Sequence, residues 1–324
     1  MLSVGQEIAG LNPRELARVR IASFQAKVVV LILVTSASMA AVLLLPGLLW
    51  IVPSIILGLA YAHGVELQHQ CLHYTAYRSK AWNRFVGVIA GLPLLVSFSD
   101  YQNSHLKHHR LLGTPEDKEF FNYSYQKLTS VWALIPHLWM VRHYADVAVY
   151  ILKSIAGKLV REKDATLKVA RKIRFEYQLM GVFLLSMVSL TAYFHTPIFL
   201  KLWLIPFLIG VPAHALIELP EHIGCNTKVP DVLQNTRTIL TNRFVVWFVD
   251  GNNYHVEHHW MPGVPNDRFP DLHNIVREKI SYIDRSYLSF YGQFLLNLRR
   301  GNLHRSWEPK NVISAGGKTR AAHG

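Results

Sequence analysis

The apolar positions of this chain are gathered into a few long runs, and the charged positions lie between them. Crossing a bilayer core about 30 Å thick takes about 20 apolar residues in a helix. Residues 27–45, KVVVLILVTSASMAAVLLL, meet that length, and Pro46-Gly47 supplies a minimal turn. Residues 48–66, LLWIVPSIILGLAYAHGVE, lead back. Pro53 is tolerable there if a neighbouring helix satisfies the carbonyl it frees. A second hairpin comes much later: residues 177–194, a turn at His195-Thr196-Pro197, then residues 198–217, with Lys201 placed to snorkel. Two further apolar stretches fall short. Residues 85–98 are interrupted by Gly-Leu-Pro and read as re-entrant or interfacial. Residues 130–159 mix Trp, Tyr and Leu with Arg142, Asp146 and Lys153, which suits amphipathic helices in the headgroup region. A span there is the rival reading.

The chain has 324 residues, 51% of them hydrophobic, and a formal net charge of +13. A basic balance suits nucleic acid or a membrane protein with positive cytoplasmic loops. The long apolar runs favour the second, so nucleic acid is not an expected partner. The turns at 46–47 and 195–197 hold no Lys or Arg. Arg14, Arg18 and Arg20 precede the first span, residues 158–174 (KLVREKDATLKVARKIR) fill the long connection, and Arg299, Arg300 and Arg305 lie in the tail. The positive-inside rule then places both termini and the long connection in the cytoplasm. The expected architecture is an all-α integral membrane protein of four transmembrane helices. A cytoplasmic helical cap, residues 67–176 and 218–324, carries the chemistry. No repeat or linker divides the chain, so a cytoplasmic segment 1–26 leads into one membrane domain, 27–324. The N-terminus lacks the apolar stretch of a cleavable signal peptide. Cys71 and Cys225 make no disulfide framework and are expected to be reduced.

The histidines lie between and beyond these spans. His255, His258 and His259 are spaced i, i+3, i+4, as are His105, His108 and His109. On a helix such residues share a face. His69 and His73 are spaced i, i+4, and His222 stands alone one turn after Glu218. The topology brings all nine to one edge of the membrane. Nine imidazoles exceed the needs of one metal and suit two, each with four to six ligands and an open position. Imidazole suits Fe, Zn, Cu or Ni, and there is no thiolate set for a structural zinc site.

HQCLH at 69–73, HLKHH at 105–109 and HVEHH at 255–259 resemble the three histidine boxes of the membrane fatty acid desaturase and hydroxylase superfamily. The flanks SHLKHHRLLGTPED and NNYHVEHHWMPGVPNDRFPDLH look like bacterial members, and the resemblance runs from about residue 50 to 280. It implies a four-helix membrane bundle, a cytoplasmic domain holding two Fe ions, and location in a bacterial inner membrane. It implies that His222 is a further ligand, matching the family's histidine after the fourth span. Glu218 takes the place of a polar residue that reaches metal through water in some members. The third box begins with His255, whereas members with a fused haem domain usually have Gln there. A haem-binding His-Pro-Gly-Gly segment is also missing. Electrons are therefore expected from a separate ferredoxin-like or b-type cytochrome protein, with O2 as co-substrate and a lipid acyl chain as substrate. The basic surface suits an acidic donor or anionic lipid.

Desaturation of an acyl chain is the leading expectation. Hydroxylation or ketolation of a lipid or carotenoid, and oxidation of a natural-product acyl intermediate, use the same ligand set and stay open. A metal transporter would carry ligands near the bilayer midplane and on both sides. A zinc-dependent lipid hydrolase would need no reductant. Several other residues have two readings each. His63 and His214 are either donors to a ligand or buried, hydrogen-bonded histidines. Glu221 is a partner to a ligand or a solvated charge. Asn253 orients an imidazole or caps the helix of the third box. Cys71 points off the ligand face and reads as a packing residue.

Overall fold

The computed structural model describes residues 12–117, 128, 130–160 and 165–301. Residues 1–11, residues 161–164 of the basic connection, and the tail from 302 onward, including Arg305, lie outside that range. Helices dominate, and the strands among the described residues are a parallel pair of two-residue segments, β1 (Thr238–Ile239) and β2 (Ile283–Asp284). Among these residues, four helical runs are long and apolar enough to cross a membrane. They are Arg14–Leu44, which contains α1 (Ile21–Leu44); α2 (Ile51–Leu72); α7 (Leu167–Phe194); and Phe199–Glu218, a π-helical turn leading into α8 (Ile205–Glu218). The fold is all-α, as expected for a membrane protein of this kind.

The helices differ in length from the apolar runs. The second runs on to Leu72, so His69 lies inside it and His73 is its C-cap. The third starts at Leu167, ten residues before its apolar run, and closes at His195, which has the left-handed φ of 49°. Pro53 falls in the first turn of α2, where no helical N–H is required. The two prolines of the last span do free carbonyls, and side chains satisfy them. Tyr61 Oη donates to Leu202 O at 2.7 Å, four residues before Pro206. Trp139 Nε1 donates to Leu208 O at 3.1 Å, four residues before Pro212.

Helix α2 is the centre of the bundle: 72% of its most apolar window is buried, against 11% for α1 and α7. Leu33 and Leu44 on α1, and Val182 and Leu185 on α7, are exposed apolar side chains that suit lipid. Helix α2 packs against α8, α1 and α3 (Lys80–Gly91). Its contact with α8 is backbone on backbone. A Cβ on Gly58 would lie 2.6 Å from Pro206 O, and one on Gly210 would lie 2.7 Å from Gly58 O. Gly58→Ala must therefore push α2 off α8. Overpacking of this kind costs about 1–3 kcal/mol, and the expected outcome is a lowered thermal unfolding midpoint in detergent.

The interrupted stretch 85–98 spans α3, a 3-10 turn at Leu92–Leu94 and the start of α4 (Phe98–Leu111). The two arms bend by 101°, the geometry of a broken span or a re-entrant loop. Residues 130–159 form α5 (Val131–Leu138) and α6 (Val141–Ile155). The left-handed Met140 breaks them apart, and at 8 and 15 residues neither is long enough to cross.

Two clasps position the elements that carry the histidines. The Glu176 carboxylate on α7 accepts from Arg84 Nη2 (2.6 Å), Ser97 Oγ (2.8 Å), Ser99 N (2.8 Å) and Ser99 Oγ (2.7 Å). It sits on the positive N-terminal end of α4 and fixes the line along which the second box points. The buried Arg237 donates to Pro220 O and Ile223 O and pairs with Asp284 at 3.0 Å, holding the turn that bears His222 against β2. Around that turn, Leu219, Ile223 and Ile239 pack against Phe290, Phe294 and Leu298 of the helix Tyr287–Arg299.

Candidate metal centre

Four separate elements deliver the histidines, and seven of the nine lie at or just past a helix C-terminus, His105 and His255 being the exceptions. His69 and His73 end α2; His108 and His109 lie in the last turn of α4; His222 follows α8; His258 and His259 lie in the last turn of α9 (His255–Trp260). Each such end carries about half a unit of negative charge from unpaired carbonyls. Their convergence on one point favours a cation there.

The nine imidazoles expected from the sequence do come together. His69, His73, His105 and His258 offer ligand atoms within 4.8 Å of one another, as do His108, His222, His255 and His259. A third set, His109, His258 and His259, joins the two. The Nε2 atoms face each other: His69 to His105 at 2.9 Å, His105 to His73 at 3.0 Å, and His109 to His258 at 2.9 Å. In the second group, His108 faces His222 at 3.2 Å, and His255 faces His222 at 3.1 Å and His259 at 3.0 Å.

The outer nitrogens decide what the inner ones are. His108 Nδ1 lies 2.8 Å from the Asp117 carboxylate, and His222 Nδ1 lies 3.0 Å from Asn235 O. Both partners only accept, so both Nδ1 atoms carry the proton. In the neutral rings each Nε2 is then a bare lone pair, and these two lone pairs face one another at 3.2 Å. Acceptors so placed repel, and a shared cation turns the repulsion into binding. The residues therefore fit a metal centre.

Burial keeps the rings neutral. It is the main cause lowering the pKa of His222 to about 3, aided by His108. Burial, then neighbouring imidazoles, puts His73, His255, His258 and His259 well below the ordinary range. Neutral imidazole is the form that binds metal.

Glu218 stands outside these groups of ligand atoms. Its carboxylate lies 3.2 Å from His214 Nε2 and accepts from Tyr101 Oη at 3.3 Å. Glu221 is more than a solvated charge, since its Oε1 lies 3.3 Å from His255 Nδ1. His63 is the buried, hydrogen-bonded histidine: Nδ1 meets Phe248 O at 2.6 Å and the ring stacks on Trp247. Cys71 packs among Phe24, Leu67, Leu72 and Phe98, and both cysteines are free. Neither reading of Asn253 holds. The N-cap of α9 is Tyr254, which makes no side-chain cap, and Asn253 Nδ2 donates to Ile239 O at 2.8 Å. The neighbouring Asn252 makes the outer contact, with Oδ1 2.9 Å from His69 Nδ1.

Sequence reasoning also missed Asp117 and Glu66. Glu66 carried a readable signal: a carboxylate inside an apolar helix, one turn before His69. Asp117 had none beyond its distance of eight residues from the second box, and the Asn235 contact is a backbone carbonyl that any residue supplies.

Fold and centre together define a helical membrane protein with a polyhistidine centre at one end of its bundle. The model of the fatty acid desaturase family matches residues 46–291, and the chain belongs to that family. It is similar to dihydrorhizobitoxine desaturase of Bradyrhizobium elkanii, with 26% identity over 232 residues. That match covers 67% of this chain and 65% of the length of that relative.

Proposed function

We propose that this chain is an O2-dependent di-iron oxidoreductase of the membrane that introduces a double bond into an acyl chain. The observation that carries the reading is the convergence of nine Nε2 atoms in two groups joined by a third. Family membership supports desaturase-like oxidation. His69, His73, His105 and His258 would hold one iron and His108, His222, His255 and His259 the other, with His109 at the junction. Glu218 is the lesser candidate, acting through water. When bound, the irons supply the O2-derived oxidant that an unactivated methylene requires.

The chain's own residues do the rest. Asp117, the Asn235 carbonyl and Asn252 hold Nδ1–H bonds and so keep Nε2 turned inward. Burial of seven of the nine rings excludes water, while the half-buried His73 and His109 mark the side from which the centre is reached. Losing such an outer partner lowers metal affinity about 10–100-fold. Asp117→Ala is expected to do so, read by competition with a chelator.

We read the chain as one domain from 27 to 324 after a short segment 1–26. It would be multi-pass in a bacterial inner membrane, with termini and centre on the cytoplasmic side. Electrons would come from a separate ferredoxin-like or b-type cytochrome protein. The similarity to dihydrorhizobitoxine desaturase supports a second reading, in which the substrate is a small natural product. Expression in a host of simple lipid profile, with and without O2, followed by mass spectrometry, tests both. A product two hydrogens lighter that needs O2 supports desaturation; one oxygen heavier points to hydroxylation; product without O2 overturns the reading.

A further inference from the structure

Glu66 lies 2% exposed inside α2, its hydrogen bonds run to Asn252 and His214, and nothing in the function so far uses it. A carboxylate inside an apolar span is costly and calls for a reason. Its Oε2 accepts from Asn252 Nδ2 at 2.5 Å, and its Oε1 faces His214 Nδ1 at 2.8 Å. His214 in turn reaches Glu218 through Nε2 at 3.2 Å. Asn252 is the link to the centre, because its Oδ1 is 2.9 Å from His69 Nδ1.

An amide can present either end to a neighbour. Glu66 Oε2 accepts, so Asn252 turns its NH2 towards it. The Oδ1 end then faces His69, which must carry its proton on Nδ1 and leave Nε2 bare. Asn266 agrees with this orientation: its Nδ2 donates to Asp250 O at 2.9 Å and approaches the same Asn252 Oδ1 at 3.3 Å. We propose that Glu66 is a positioning residue that sets the tautomer of His69 through the Asn252 amide, with His214 and Glu218 holding Glu66 in place. This rests on the metal reading above. Its consequence is local, because His69 belongs to the group with His73, His105 and His258 and is absent from the group around His222.

The test is iron per chain in purified protein titrated with a chelator, alongside the thermal midpoint of the iron-free forms. Wild type should hold two irons; if it holds none, the metal reading itself fails. Glu66→Met should lose one iron at a chelator concentration about 10–100-fold lower than wild type needs, while the second iron stays. Glu66→Gln, which still offers an acceptor to Asn252, should keep both. Asn252→Leu should reproduce the Glu66→Met loss, and the double variant should add nothing to it. Retention of both irons by Asn252→Leu, or equal loosening of both irons in the two variants, overturns the proposal while leaving the metal reading intact. If Glu66→Met does not fold, Asn252→Leu and Glu66→Gln decide: loss of one iron in the first and retention of both in the second supports it.

Discussion

His258→Ala is expected to abolish product formation outright, at a protein level equal to wild type. His258 is 1% exposed and is shared by two of the three groups of ligand atoms. Its Nε2 lies 2.9 Å from that of His109 and 3.4 Å from that of His105. Truncation thus removes a ligand from one group and cuts the junction to the other. Mass spectrometry of the expressing host reads the result. His137→Gln serves as control, since that ring bonds within its own helix, to Ala133 O at 2.8 Å, and stands outside the groups. Product from the His258 variant at wild-type level would remove the third box from the metal centre.

The spacing of the boxes made the grouping of the histidines legible, because i, i+3, i+4 survives any detail of how the helices are placed. The helix ends were less legible. Apolar character stops near residue 66, yet α2 runs on to Leu72. Its last turns are buried against α1, α3 and α4 rather than in lipid, and polar Gln68 bonds there to Gly87 O at 2.9 Å and Val96 O at 3.1 Å. Hydropathy alone registers lipid contact and is blind to that burial. The outer partners were least legible. Asn252 and Asn253 are adjacent and chemically identical, and only the turn at Asp250 and Gly251, with φ of 51° and 80°, decides which one faces His69. Periodicity carries no information about such a turn. Glu66 shows the opposite case: a local oddity was present in the sequence, but its partner His214 lies on α8, 148 residues away.

Stripping the metal should abolish turnover and also loosen the fold, and Fe(II) should restore both where Zn(II) restores only the fold. The first part follows from the tautomers. With Asp117 and the Asn235 carbonyl holding Nδ1 protons, the Nε2 atoms of His108 and His222 confront each other as acceptors at 3.2 Å. Without a cation, nine imidazoles, seven of them buried, converge on nothing that binds them. A metal held at 1,000 times its dissociation constant contributes about 4 kcal/mol to the folded state, so the thermal midpoint should fall clearly on chelation. The second part separates oxidase chemistry from hydrolysis. Zinc takes imidazole ligands and would pull the same rings together, but it has no redox chemistry with which to use O2. Zinc-loaded protein is therefore expected to melt near the iron-loaded form yet yield no oxidised product under air with reductant supplied. A zinc-loaded sample that turned over a lipid without O2 would instead make the chain a hydrolase built on a desaturase fold.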